Sequence, residues 1–262
     1  MVEYRCNDRL YYQSELFLNQ TAICHGFTSR LGGVSSGKIT GLNLGFRVGD
    51  DPNSVLENYK LICHDLNLNY KSCVLAKQTH TDNIRIVTED DAGKGLIKES
   101  DIQDTDGLIT NIKGIPLIVF TADCVPILLF DPKKEVIAAI HSGWRGTVKE
   151  IGGKAVEMMK EHFGSDPKNI IAAIGPSLGE CCFEFGKDDA DCFPKKYHSR
   201  QNNDKVYIDL WSMNKDILIS RGVLAKNIDI SNLCTVCNSD IFYSYRTHRE
   251  NTGRQSAVIM LK

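Results

Sequence analysis

The sequence is short of the features that would place it in several large classes. Neither charge is in excess, since 31 basic residues against 33 acidic ones leave a net charge of -2. That balance argues against a general nucleic-acid binder and against a polybasic membrane anchor. Long apolar runs are missing too. Residues 1–20 hold Tyr4, Arg5, Asp8, Arg9 and Glu15 where a secretory leader would be apolar, and the most apolar stretch, 115–130, carries Asp123 and two prolines. No membrane association is expected. Seven histidines without a His-x-His pair leave little room for a multicopper cluster. There is no internal repeat, no low-complexity tract and no break in composition, so one domain over residues 1–262 is expected.

What is present is enough for a large core: 262 residues, 42% of them hydrophobic. Ten cysteines in a chain without a leader read as reduced thiols or metal ligands rather than a disulfide scaffold. A cytoplasmic location follows as the expectation, with small molecules or other proteins as partners. Nothing in the sequence marks a particular oligomeric state.

The periodicities place elements along the chain. A strand over 22–28 leads into the glycine- and serine-rich loop 29–37, and 43–51 is a second loop that carries Arg47. Asp51 reads as an N-cap with Pro52 at the first helical position, opening a helix to about Asn67 on Val55, Leu56, Tyr59, Ile62, Cys63 and Leu66. Strand-like runs follow at 74–79, 83–88, 107–110 and 116–121. A second helix is expected from Gly146 to Phe163, where Gly164 stops it. Further on come a strand at 170–174, a helix from its cap at Asp209 to Gly222, and a last strand at 256–261. Strands without a regular βαβ rhythm suggest an α/β or α+β fold, a layered sandwich of mixed β-sheets flanked by helices.

Between those elements, 125–130 and 135–140 flank Asp131-Pro132-Lys133-Lys134 and read as a β-hairpin. A turn symmetric about Pro132 and Lys133 sets Phe130 opposite Glu135 and Cys124 opposite His141. Opposed residues of an antiparallel pair have Cβ atoms roughly 4.5 to 5.5 Å apart, which suits two ligands of one metal ion. With His80 of KQTHTDNI they form a mixed nitrogen and sulfur set. Three such ligands leave one position open on zinc, the arrangement of catalytic sites. The competing reading makes Cys124 a core residue and the histidines loop-bonding groups.

Other constellations have two readings each. Ser142-Gly143-Trp144-Arg145-Gly146 joins His141 to a helix start, so it either offers amides and Arg145 to a phosphate or makes a tight turn. The loop 245–254 holds three arginines, of which Arg246 follows the aromatic run 242–245 and is the favoured anion contact; a solvated basic turn is the alternative. Cys234-Thr235-Val236-Cys237 has redox or zinc-knuckle spacing but no evident second pair, so it reads as structural, and Cys181-Cys182 as packing. The acidic stretch 101–107 fails as a calcium loop because its ligand positions are not filled.

The segments FTSRLGGVSSGKITGLNLGFRVGDDP, KQTH, TADCVPILLFDP, AAIHSGWRGTVKEI, AAIGPSLGECCFEFG and FYSYRTHRENTGRQSAVIML follow one another over nearly the whole chain. Together they resemble the YfiH-like proteins, the laccase-domain or polyphenol-oxidase family now regarded as purine nucleoside enzymes. The resemblance implies a single-domain sandwich of mixed α and β layers, with zinc ligands at His80, Cys124 and His141 that also form the catalytic centre. It further implies phosphorolysis of adenosine, inosine, guanosine and methylthioadenosine to free base and (methylthio)ribose 1-phosphate, with inorganic phosphate as co-substrate. Hydrolytic deamination of adenosine is implied as well, and a zinc-activated water is suited to attack on the amidine carbon. Arg47, Arg145 and Arg246 are the candidates to bind substrate or phosphate. The chain departs from many relatives in having Thr81, rather than glycine, after His80.

Three other readings compete. A copper-dependent polyphenol oxidase would use the same two histidines and cysteine. A cysteine hydrolase would use Cys124 as nucleophile and His141 as base. A non-enzymatic zinc-binding module would need only the fold.

Overall fold

Strict alternation of side chains along the strands decides how the layers stack. In the computed structural model, which describes residues 1–202 and 204–262, strand Val125–Asp131 is buried along its whole length. Leu128 and Phe130 point to one side of it, and Val125, Ile127 and Leu129 to the other. Its neighbour Val136–Ser142 divides likewise, with Ile137 and Ala139 on the first side and Val136, Ala138 and Ile140 on the second. A strand buried on both faces needs a layer on each, and here there are two different ones.

One six-stranded sheet runs in the order Ile228–Ile230, Ile171–Ile174, Val125–Asp131, Val136–Ser142, Gly107–Thr110, Ile84–Ile86. A second runs Val2–Cys6, Arg9–Gln13, Ile23–Thr28, Gln255–Leu261, Leu117–Thr121, Val74–Leu75. Both mix parallel and antiparallel pairs. The core between them holds Leu128, Phe130, Ile137 and Ala139 from the first sheet and Leu10, Phe27, Leu117, Val119, Ala257 and Ile259 from the second. Helix Pro52–Asp65 covers the outer face of the second sheet through Val55, Tyr59 and Ile62 against Tyr11, Ile118 and Val258. Helices Ile151–Phe163 and Leu210–Ser220 cover the outer face of the first, together with a three-stranded sheet of Glu184–Gly186, Lys205–Ile208 and His198–Asn202. The layered sandwich with mixed sheets and flanking helices is therefore the one expected. Among the described residues no helix is long and apolar enough to cross a membrane.

Local signals explain where the helices begin. Asp51 accepts hydrogen bonds from the amides of Asn53 and Ser54, and Asp209 from that of Ser212, so both expected N-caps form. Two expectations need correction. The helix foreseen over 146–163 is two helices, Trp144–Val148 and Ile151–Phe163, because Glu150 takes a left-handed conformation with φ 58° between them. The break leaves Thr147 bonded to Ser142 while Ala155, Val156 and Met159 turn onto the sheet.

The second correction concerns the hairpin. The four residues outside its ladder are 132–135 rather than the expected 131–134, and Asp131 pairs with Val136. The Asp131 carboxylate accepts the amides of Lys133 and Lys134, and Glu135 closes the turn at φ 50°. The register is thereby shifted by two residues, so His141 faces Pro126 rather than Cys124. Cys124 lies just outside the ladder, so strand parity does not set its direction.

Candidate active site

Cys124 is not on a strand. It ends the short link 122–124 by which the chain leaves Leu117–Thr121 of one sheet and enters Val125–Asp131 of the other. His141 lies near the end of the neighbouring strand, and His80 sits in the loop after Val74–Leu75 at φ 65°. Each residue offers one donor atom, and the three atoms lie within 4.8 Å of one another. The imidazole rings meet edge to face, with centroids 5.1 Å apart. Gly143 makes this closure possible: a Cβ there would stand 3.1 Å from both Cys124 Sγ and His80 Cδ2.

Asp106 holds the arrangement, and sequence reasoning missed it. Fully buried, its carboxylate accepts His141 Nδ1 at 2.7 Å and the His80 amide at 3.1 Å on one oxygen. The other oxygen accepts the Thr81 amide and hydroxyl, at 2.7 and 2.8 Å, and the Thr79 amide at 3.3 Å. With Nδ1 committed, His141 is left with Nε2 for the centre, the usual orientation of a metal-ligating imidazole backed by a carboxylate. Asp106 lies in the acidic stretch rejected as a calcium loop, and no spacing rule singles it out from its acidic neighbours there.

The charges are mutually supporting. Burial would raise the Cys124 thiol, but His141 and His80 beside it bring it down to about 6. Burial would lower His141, but Cys124 and Asp106 raise it to about 9. Asp106 is lowered to about 2: burial opposes this, and His141 and Thr81 outweigh it. Cys124, His141 and Asp106 thus each favour the charged form of the next, and positive charge is favoured between the donors. Two nitrogens and one sulfur at this spacing, one imidazole already fixed from behind, fit a zinc ion.

Two open clefts meet at the donors. One, of 360 Å³, is lined by Trp144, Leu178, Phe183 and Tyr245, with Arg246 and Arg254. The other, of 640 Å³, is lined by Arg47, Phe46, Lys77, Gln78, Lys98 and others, again with Arg254. His80, Ala122 and Cys124 belong to both. Two of the three expected arginines therefore reach the clefts, Arg47 in the larger and Arg246 in the smaller.

Arg145 reaches neither lining. Its guanidinium lies over the Trp144 ring, 4.1 Å from the centroid, because the next residue of the helix turns outward to solvent. Arg254 takes the place it was expected to fill, bordering both clefts. That was not legible, since Arg254 differs from Arg246 and Arg249 only in preceding the last strand. Asp123 lines the smaller cleft from the bend at 122–124, outside both strands. Its carboxylate accepts the Thr235 hydroxyl at 2.7 Å and the Arg246 amide at 2.8 Å, fixing the segment that carries Arg246.

Fold and site together define a layered α/β protein with a candidate metal centre set between two small-molecule clefts. The chain belongs to the family described as multi-copper polyphenol oxidoreductase laccase, whose model matches residues 24–262. It is 35% identical over 251 residues to the purine nucleoside phosphorylase YlmD of Bacillus subtilis, covering 93% of this chain and 90% of that one. It is 35% identical over 232 residues to the adenosine deaminase RL5 of an unknown prokaryotic organism, covering 85% and 88% of the two chains. The crystal structure of the Bacillus licheniformis hypothetical protein YfiH superposes with a TM-score of 0.91 at 31% identity, covering 98% of this chain and 97% of that one. The resemblance to YfiH-like proteins read from the motifs is borne out.

Proposed function

We propose that this chain is a zinc-dependent purine nucleoside enzyme, acting as one catalytic domain on nucleosides and phosphate. It cleaves adenosine, inosine, guanosine and methylthioadenosine with phosphate, and it deaminates adenosine with water. In phosphorolysis a phosphate oxygen bonds to C1′ of the sugar, the C1′–N9 bond breaks, and the purine leaves with the electron pair and takes up a proton. The observation that carries this reading is the convergence of the His80, Cys124 and His141 donor atoms within 4.8 Å at the junction of two clefts bordered by arginines. The names of its relatives point the same way, one a phosphorylase and another a deaminase.

Zinc bound at these three residues supplies Lewis acidity at the meeting point of the clefts. The protein supplies the rest. Asp106 keeps the proton on His141 Nδ1 and so presents Nε2 inward. Trp144, Phe183 and Tyr245 offer apolar faces against which a purine ring packs, while Leu178 closes the side of the same cleft. Arg246 and Arg254 present guanidinium groups that suit phosphate oxygens, and Arg47 does the same from the larger cleft. The setting is the cytoplasm, with neither nucleic acid nor membrane as partner.

The test is a product assay on metal-quantified protein, with adenosine and inosine incubated with and without phosphate. Phosphate-dependent release of base, lost in folded Cys124→Ala and His80→Ala variants, is the expected result. Unchanged nucleosides with stoichiometric zinc would reduce the protein to a binding module. Oxygen uptake on a phenol in proportion to copper would make it an oxidase.

A further inference from the structure

A second set of metal donors lies outside the His80–Cys124–His141 centre. The sequence reading gives the Cys234 and Cys237 knuckle no partner pair, yet the fold supplies one. Strand Ile171–Ile174 runs on into the loop Gly175-Pro176-Ser177-Leu178-Gly179, which bonds to the segment after Ile228–Ile230. The Ser177 amide donates to Leu233 O at 3.1 Å and the Thr235 amide to Ser177 O at 3.1 Å. This pairing brings Cys181 and Cys182 onto the knuckle. Cys237 Sγ lies 3.5 Å from both Cys181 Sγ and Cys182 Sγ, and the four sulfurs lie within 4.8 Å of one another.

That spacing has a specific meaning. Four thiolates around one zinc at about 2.3 Å occupy the corners of a tetrahedron whose edges are about 3.8 Å. Two separations of 3.5 Å and a bound of 4.8 Å on the rest are compatible with that edge. Such closeness suits a single ion, whereas a multi-iron cluster spreads its thiolates over separate irons.

The backbone also turns toward the cluster. The Gly179 amide donates to Cys234 Sγ at 3.4 Å, and the amides of Val236 and Cys237 turn toward the same sulfur. Amides aimed at the first sulfur of a Cys-x-x-Cys turn stabilise it in its ionised, ligating form. The Arg200 guanidinium is bonded to the Cys181 carbonyl.

We infer that Cys181, Cys182, Cys234 and Cys237 form a second, structural tetrathiolate site for a divalent cation of the zinc type. Each thiol gives up its proton on ligation, so the four sulfurs and one dication form a centre of net charge -2, with four protons passing to solvent. The site clamps two stretches of the smaller cleft's surroundings. Leu178 and Phe183 flank Cys181 and Cys182 on one side, and on the other Thr235, between the knuckle cysteines, bonds the Asp123 carboxylate that holds Arg246. This inference stands apart from the nucleoside reading, since it needs no substrate.

The experiment is metal counting with zinc on three proteins purified under reducing conditions: the unaltered chain, His80→Ala/Cys124→Ala, and Cys181→Ser/Cys237→Ser, whose substituted side chains are exposed. Two equivalents are expected in the first and one in each variant. Substitution with cobalt in the His80→Ala/Cys124→Ala protein should give the intense charge-transfer bands of a tetrathiolate, and bound metal should slow alkylation of the four cysteines. If that variant fails to fold, the second cobalt equivalent taken up by the unaltered chain gives the same spectrum. The inference is overturned if the unaltered chain binds one equivalent and the four thiols alkylate equally fast with and without zinc. A mass deficit of two or four hydrogens under native isolation, with no second metal, would overturn it in favour of disulfides.

Discussion

Replacing Asp106 with asparagine removes one charge and changes almost no volume, yet it strikes the centre of the site. The carboxylate receives five hydrogen bonds and donates none. An amide can accept on only one of its two atoms. If the oxygen stays toward His141, the NH2 group is turned on the amides of Thr79 and Thr81, two donors that cannot reverse. If the oxygen faces those amides instead, the NH2 group meets His141 Nδ1. The imidazole then has to carry its proton on Nε2, the atom needed for the metal.

Both choices cost, because Asp106 is fully buried. Leaving a buried donor unpaired costs about 1 to 3 kcal/mol. Loss of the carboxylate behind a metal-ligating histidine weakens affinity about 10- to 100-fold, or about 1.4 to 2.7 kcal/mol. Asp106→Asn is therefore expected to lower zinc affinity at the His80–Cys124–His141 centre by one to two decades. The assay is competition against a chromophoric chelator, in the Cys181→Ser/Cys237→Ser background so that one site is read. Urea unfolding alongside should show a loss of stability of about 2 kcal/mol. A variant that is folded and binds zinc within twofold of the parent would refute the role assigned to Asp106.

Gly143→Ala should separate site geometry from fold. Its φ of -62° suits alanine, but the new Cβ would press on Cys124 and His80, so metal affinity should fall about tenfold with little change in Tm. Unaltered affinity would show that the donors can move aside. His25 is 3% exposed, and burial pushes its pKa down to about 3. The unfolded chain protonates this group near 6.5, so its contribution is complete above that pH and is lost as pH falls toward 3. Urea titrations at pH 7.5 and 5 should differ by about 2 kcal/mol through this residue, and His25→Gln should flatten that part of the profile. Leu128, fully buried between the sheets, should cost about 3 to 4 kcal/mol when replaced by alanine; a loss below 1 kcal/mol would mean that the layers are not packed there.

Legibility in the sequence followed the physical range of each signal. The caps Asp51 and Asp209 act within three residues, and both are where the pattern predicts. The apolar runs of the central strands identify buried β-structure because both faces are covered. The strands Val2–Cys6 and Arg9–Gln13 escaped notice. The first is a half-exposed edge with charged residues in alternation, and the second holds an arginine buried only by its pairing with Asp65. The small third sheet escaped because its strands are short and carry little apolar pattern, Glu184–Gly186 being three residues of intermediate burial and His198–Asn202 mostly exposed. The register of the hairpin turned on Asp131 bonding its own turn, a side-chain effect that composition does not reveal. At the site, residue types singled out His80, Cys124 and His141, but Asp106 and Arg254 were hidden because their importance lies in what folds against them. The four-cysteine group was hidden by chain distance: 52 residues or more separate its halves, counting from Cys182 to Cys234.

The link at 122–124 has a thermodynamic consequence. Cys124 stands where the chain steps between sheets, while His80 and His141 come from loops and strands on either side of that step. Unfolding either layer disperses the three donors, so an ion they hold binds only the native protein. Its binding energy then adds to the cooperativity of the whole sandwich, by about 2.7 kcal/mol when free metal is 100-fold above Kd. Metal held at the proposed centre would thereby stabilise the folded chain independently of any reaction it catalyses.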